Sequence, residues 1–279
     1  MVDGHTHVFP PKIGPRLAAA IGREFGREPE GDGSVMDLFS HLDAAGLEQA
    51  VCFTAALRPD QMIPANSWMI GLRREHARLI PLGTVHPGHP AWGEELDRLE
   101  RNGIRGLKIH PDLTGIPLDS PLWDPVWEAA RGRFLVMVHM GPARPGGQTV
   151  SRPREMAAVL RRHRGLEVVA AHLGGLGMWE ETLDHLAGMD IYMDTSCCHG
   201  LIAPPVMAAL LNGHDRERIL FGSDYPLFSP RREREALVRL LAGLGVPESA
   251  VMGNGKHLLA RLQPGGFAGL PPSPDIDFS

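Results

Sequence analysis

The chain has 279 residues, with 28 Lys+Arg against 33 Asp+Glu and a formal net charge of −5. Mild acidity without a basic run argues against nucleic acid as a partner, and no stretch approaches the ~18 apolar residues that would place it in a membrane. At 43% hydrophobic the sequence can build a large core, and 33 glycines with 25 prolines make it rich in turns without reaching low complexity.

The first apolar run, residues 2–8, reads as a strand. Residues 10–33 follow as a Gly/Pro/Arg-rich insert, long enough to be a lid or a subunit contact. A helix is expected over 35–45, where Val35, Leu38, Phe39 and Leu42 fall at helical spacing and Gly46 stops it. Strands over 49–54 and 79–85 come next, separated by a loop over 57–68 that carries Arg58 and Trp68. Helix 92–102 turns Leu96 and Leu99 inward and ends at Asn102-Gly103. Strands over 104–109, 134–139, 166–172, 190–195 and 218–223 complete the set, with helices over 153–162, 177–187, 205–212 and 232–244 between and after them. Residues 263–279 form a Pro/Gly-rich tail.

The strands are short and apolar on both faces, as in a parallel sheet covered on both sides. Parallel neighbours need a crossover, and eight such units in this length predict one (β/α)8 TIM barrel over residues 1–262. An open doubly wound sheet is disfavoured because no G-x-G-x-x-G follows the first strand. No charged-then-apolar leader is visible at the N-terminus. Cys52 stands alone and Cys197-Cys198 are vicinal, so no disulfide framework exists and a cytoplasmic setting is expected.

Seven of the 14 histidines gather at one place in this scheme. His5, His7, His86, His110, His139 and His172 stand at strand ends and His199 follows the seventh strand, all on the C-terminal rim where such barrels keep their active sites. His5 and His7 are two apart on one strand and share a face, so both imidazoles project into the mouth. Two converging neutral imidazoles can hold zinc or a similar ion. His139 ends strand five, and Asp224 ends strand eight, beside strand one once the barrel closes. His5, His7, His139 and Asp224 therefore form the expected ligand set, with a position left for water. Arg58 and Arg144 are candidates for a two-point contact with an anionic substrate, each weighed against a solvated loop arginine. Trp123 and Trp127 read as packing residues, and Arg161-Arg162-His163-Arg164 as a solvated helix end.

The motifs Asp3-Gly-His5-Thr-His7, Val138-His139, Ala171-His172-Leu-Gly-Gly and Phe221-Gly-Ser-Asp224-Tyr-Pro resemble the amidohydrolase superfamily. The likeness is to its amidohydrolase-2 branch, which includes the aminocarboxymuconate-semialdehyde decarboxylase-like proteins. Met252-Gly-Asn254-Gly-Lys-His-Leu-Leu is similar to the entry of that branch's C-terminal helix, so the resemblance spans residues 3 to about 259. It implies a metal-dependent barrel with His5, His7, His139 and Asp224 at the ligand positions. His172 matches the strand-six histidine that contacts the metal-bound water or a second metal. Asp224 would carry the proton, and His172 would stabilise charge on the attacked oxygen.

Lys108 and His110 share a face of strand four. In binuclear members a strand-four lysine is carboxylated and bridges two metals. The motif here looks more like the mononuclear branch, so a substrate-binding role or an ion pair is expected for Lys108, and His110 is placed with it. One divalent ion is implied, zinc first, with Mn, Fe, Co or Ni also suited to these ligands. The implied function is hydrolysis of an amide, ester or lactone of a small anionic compound. The alternative is non-oxidative decarboxylation of a small aromatic or enol carboxylate. A barrel that had lost catalysis would show a broken ligand set, and none of these positions is broken. The resemblance is compatible with a homodimer.

Overall fold

Strand β1 (Val2–His7) is buried along its length except for a half-buried His7. It pairs in parallel with β2 (Gln49–Phe53), which in turn pairs with β3 (Leu79–Pro81). In the computed structural model, which describes residues 1–144, 146–263 and 265–266, the third expected strand is divided. Pro81 has no N–H to give to a ladder, and the run changes neighbour there: Leu82 N–H still reaches Cys52 O at 2.9 Å, while β4 (Gly83–Thr84) pairs with β5 (Gly106–Ile109). From β5 the order continues through β6 (Leu135–Val138), β7 (Glu167–Ala170), β8 (Tyr192–Asp194) and β9 (Ile219–Leu220), all parallel.

Backbone contacts between the last strand and the first close the ring. Gly4 N–H donates to Phe221 O at 2.9 Å, Asp224 N–H to His5 O at 2.9 Å and His7 N–H to Tyr225 O at 2.7 Å, with Thr6 bridged in parallel to Tyr225. The strand segments thus make the expected (β/α)8 barrel. Val51 and Phe53, and Leu135 and Met137, are paired i and i+2 positions that face inward. They pack with Val2, Leu82, Val169 and Leu220 in the barrel interior, and Leu258 and Leu262 of the C-terminal helix join them from the end opposite the histidines.

Helices α2 (Val35–Ala45), α4 (Trp92–Arg101), α7 (Pro153–Arg162), α9 (Pro204–Gly213) and α10 (Pro230–Gly243) stand where expected, within two residues. Two elements depart from expectation. The insert holds α1 (Gly14–Phe25), and the loop after β2 is instead α3 (Met62–Glu75), so Trp68 is a helical residue packed against the core. Pro64 hides α3 in the sequence, yet it falls in the first turn, where backbone N–H groups have no intrahelical acceptor to lose. The remaining helices are α5 (Pro111–Thr114), α6 (Asp124–Ala130), α8 (Trp179–His185), α11 (Ser249–Met252) and α12 (Gly255–Leu262). Helix α8 is shorter than expected, starting after Gly177 in the left-handed region. Trp123 and Trp127 are fully buried and stacked at 5.4 Å, as packing residues should be. Among the described residues no helix is long and apolar enough to cross a membrane. Of the expected tail, all but residues 263, 265 and 266 lies outside the described residues.

Candidate metal centre

The register of β1 shifts between Asp3 and Thr6, with His5 inside the shifted stretch and His7 just beyond it, and both histidines face the barrel mouth. Their ring centroids are 5.5 Å apart, and each meets the Phe53 ring edge-on, at 4.9 Å for His5 and 4.7 Å for His7. Asp224 arrives from the other side of the seam with φ +66, a left-handed conformation that a non-glycine residue holds only where the surroundings impose it. Its Oδ1 is 3.2 Å from His7 Nε2 and 3.5 Å from His5 Nε2. The donor atoms of His5, His7 and Asp224 lie within 4.8 Å of one another. His5 Nε2 is buried and has no hydrogen-bond partner among the described residues.

The other nitrogen of His5 is held from behind. Nδ1 lies 2.9 Å from Asp194 Oδ2, at the end of β8, and 3.1 Å from Ser196 Oγ. Ser196 Oγ is also hydrogen-bonded to Asp194 Oδ1 and lies 2.9 Å from His172 Nδ1. His172 Nε2 is 3.1 Å from His139 Nδ1, and the indole N–H of Trp179 donates to His172 O at 3.0 Å. His172 and Cys197 share with Asp224 a positive φ, so backbone strain gathers at this rim. His139 Nε2 lies 3.3 Å from the Pro142 carbonyl, and its ring stacks on His110 at 3.7 Å.

Four of the expected residues, His5, His7, His172 and Asp224, therefore meet in one buried cluster. His139 abuts it through His172 but stands outside the group formed by His5, His7 and Asp224. Lys108 is fully buried, with Nζ 4.5 Å above the Phe53 ring and no hydrogen-bond partner among the described residues. Arg58 is not brought to the cluster. It is exposed, and its guanidinium binds Asp60 through two contacts of 3.2 Å. Arg144 is likewise exposed and pairs with Glu24 at 3.4 Å. His86 accepts from Gly88 N–H at 3.1 Å, a local turn contact. His199 lies 3.9 Å from Glu233. Asp194 and Ser196 escaped the sequence reading; the only signal was a polar Asp-Thr-Ser run closing the seventh apolar strand on the same rim.

Burial governs the charge states. It pushes His5 down to about 4, reinforced by the Lys108 charge and opposed by Asp194, and it drives His110 and His139 well below the ordinary histidine range. His172 shifts the same way for the same reason. Burial also opposes ionisation of Asp224 and Asp194. The hydrogen bond from His7 and the charges of His5 and His7 outweigh it for Asp224; His5 and Ser196 do so for Asp194, and both carboxyls end below their ordinary range. Burial lowers Lys108 to about 8, against the pull of Asp194 and Asp224. Imidazoles around an ionised carboxylate, with one imidazole nitrogen unpartnered, are the donor set that a divalent cation requires. His5, His7 and Asp224 fit such an ion.

The barrel is shared with solved structures. An uncharacterized TIM-barrel protein from Bordetella bronchiseptica is 19% identical, covers 94% of this chain and 99% of its own, and superposes with a TM-score of 0.70. The 5-carboxyvanillate decarboxylase from Sphingomonas paucimobilis is 16% identical over 94% of this chain and 98% of its own, with a TM-score of 0.68. A putative 2-pyrone-4,6-dicarboxylic acid hydrolase from Pseudomonas putida is 20% identical over 93% and 97%, with a TM-score of 0.63. No curated protein matches the sequence. The amidohydrolase family model of the second type matches residues 2–250, nearly the whole barrel, and the chain belongs to that amidohydrolase family.

Proposed function

We propose that this protein is a metal-dependent hydrolase that opens an amide, ester or lactone carbonyl of a small anionic molecule. The observation that carries this reading is the Asp224 carboxylate, held below the ordinary carboxylate range between the His5 and His7 rings and beside the unpartnered His5 Nε2. His5, His7 and Asp224 would hold one divalent ion, zinc by preference for two imidazoles and a carboxylate, and His139, at the end of β6 and outside that group, is proposed as the fourth ligand. An ion there supplies Lewis acidity, acidifying water and polarising a carbonyl. Asp224 takes a proton from the attacking water and returns it to the leaving group. His172, neutral and braced by Ser196 and Trp179, steadies charge developing on the attacked oxygen. Lys108, a buried ammonium in a dry wall, is suited to a substrate carboxylate, with the His110 ring beside it.

Contacts between the insert and the loops after β6 and β9 support a small substrate. Gly31 N–H donates to Pro226 O after β9, and Glu24 of α1 reaches Arg144 after β6. We assign the insert the role of a lid over the rim.

A second reading, decarboxylation, is favoured by the same Lys108 ammonium, which can hold a carboxylate as readily beside a bond that breaks as away from it. The likeness to a carboxyvanillate decarboxylase supports it. Product analysis separates the two. Zinc-loaded protein is incubated in ¹⁸O water with a panel of small lactones, amides and aromatic acids that carry a carboxylate. Solvent oxygen in the product is expected; carbon dioxide release without it overturns the hydrolase reading.

A further inference from the structure

We propose that Asp194 is a positioning residue that sets the tautomer of His5, leaving the lone pair on Nε2 where the cluster needs a ligand atom. The inference rests on the metal reading above and names a residue which that reading does not contain. In a neutral imidazole one nitrogen carries the proton and the other the lone pair. A carboxylate only accepts, so Asp194 Oδ2, 2.9 Å from His5 Nδ1, places the proton on Nδ1. Ser196 Oγ gives its own hydrogen to Asp194 Oδ1 and is left as a second acceptor for the same N–H, at 3.1 Å. His5 Nε2 is then bare, buried and unpartnered, 3.5 Å from Asp224 Oδ1.

The other oxygen of Asp194 makes the proposal sharp. Oδ1 accepts from His172 N–H at 3.2 Å, from Ser196 N–H at 3.1 Å and from the Ser196 hydroxyl. In Asp194→Asn the amide oxygen must stay on that side, because an NH₂ group there would face two backbone donors. The NH₂ is therefore turned toward His5 Nδ1. A donor in that place strips Nδ1 of its proton and moves it to Nε2, blocking the ligand atom without changing the shape of the site. Substituting the carboxylate behind a catalytic histidine acts in this way, through the wrong tautomer. Carboxylates behind metal-binding histidines are worth about 10–100-fold in metal affinity. Ser196→Ala keeps both Asp194 and the Ser196 carbonyl that faces His172 Nδ1 at 3.1 Å, so it should leave both tautomers in place.

The test has two independent arms. In metal-free protein, ¹⁵N correlation spectra of the histidine side chains report which nitrogen of His5 is protonated. The wild type and Ser196→Ala are expected to show Nδ1–H, and Asp194→Asn to show Nε2–H. A wild-type His5 protonated on Nε2 overturns the proposal without recourse to any variant, including one that fails to fold. In the second arm, zinc competition with a chromogenic chelator should give a roughly 10–100-fold weaker affinity for Asp194→Asn and little change for Ser196→Ala. Unchanged affinity in Asp194→Asn overturns the proposal. A wild type that binds no zinc at all instead overturns the metal reading, while the spectra still decide the tautomer.

Discussion

Asp224 combines three constraints in one residue: a left-handed φ of +66, a carboxylate wedged between His5 and His7, and a backbone N–H that helps close the barrel. Asparagine is the substitution that isolates its charge, since it tolerates the left-handed region and keeps the side-chain volume. Asp224→Asn is therefore expected to leave the circular-dichroism melt near that of the wild type while turnover falls by about 10²–10⁴, the usual worth of a general base. Retained turnover would remove Asp224 as the proton carrier. At this scale the sequence was informative about identity and weak about company. The His5-x-His7 spacing put two rings on one face, and strand-end placement brought Asp224 and His172 to them. Arg58 followed the same logic of position, but an exposed guanidinium finds its nearest carboxylate, Asp60, two residues away.

Helix α3 and the insert show where element-level reading fails. Pro64 and Gly71 both argue against a helix over Met62–Glu75, but the first lies in the opening turn and the second on a face with nothing within 4 Å of an added Cβ. Gly71→Ala should therefore stabilise the protein by up to about 1 kcal/mol, the helix-propensity difference. Gly31, in the insert, is the opposite case. A Cβ there would sit 2.1 Å from the Tyr225 ring and 2.8 Å from Asp37 Oδ2, the oxygen to which Tyr225 O–H donates at 2.7 Å. Gly31→Ala should cost about 1–3 kcal/mol by overpacking. Urea unfolding of the two variants checks both signs, and a stabilised Gly31→Ala would show that the insert is not held by this clamp.

For the molecule as a whole, the buried histidines set the response to acid. His5, His110, His139 and His172 are held below the ordinary histidine value by burial, so between pH 6.5 and about 4 the unfolded chain binds protons that the folded chain refuses. Stability then rises with pH across that window. Asp3 and Glu233 oppose this. Burial raises them to about 7 and about 8, so each loses its contribution as pH rises through its folded value. Burial also lowers His86, His199 and His214 and raises Glu167, so seven imidazoles stand against three carboxyls, and metal-free protein is expected to unfold at lower urea concentration at pH 5 than at pH 6.5. A flat or inverted profile would contradict the charge states assigned to the cluster.

Apolar runs buried on both faces and crossovers of sufficient length leave a parallel barrel as the economical way to cover every strand, so the architecture and the rim were legible in the order of residues alone. The same holds for His5, His7 and Asp224, because strand parity and ring closure are consequences of chain geometry. What the tertiary structure decided is contact across distant strands. Asp194 lies 189 residues from His5 in sequence and 2.9 Å from it in space, and no local pattern could have paired them. His139 was likewise expected as a ligand from its strand end, but its ring position depends on His172, His110 and the Pro142 carbonyl packing around it. Period and composition specify which face a side chain takes; only the closed fold specifies which hydrogen-bond partner waits there, and in this cluster that partner determines which nitrogen is free.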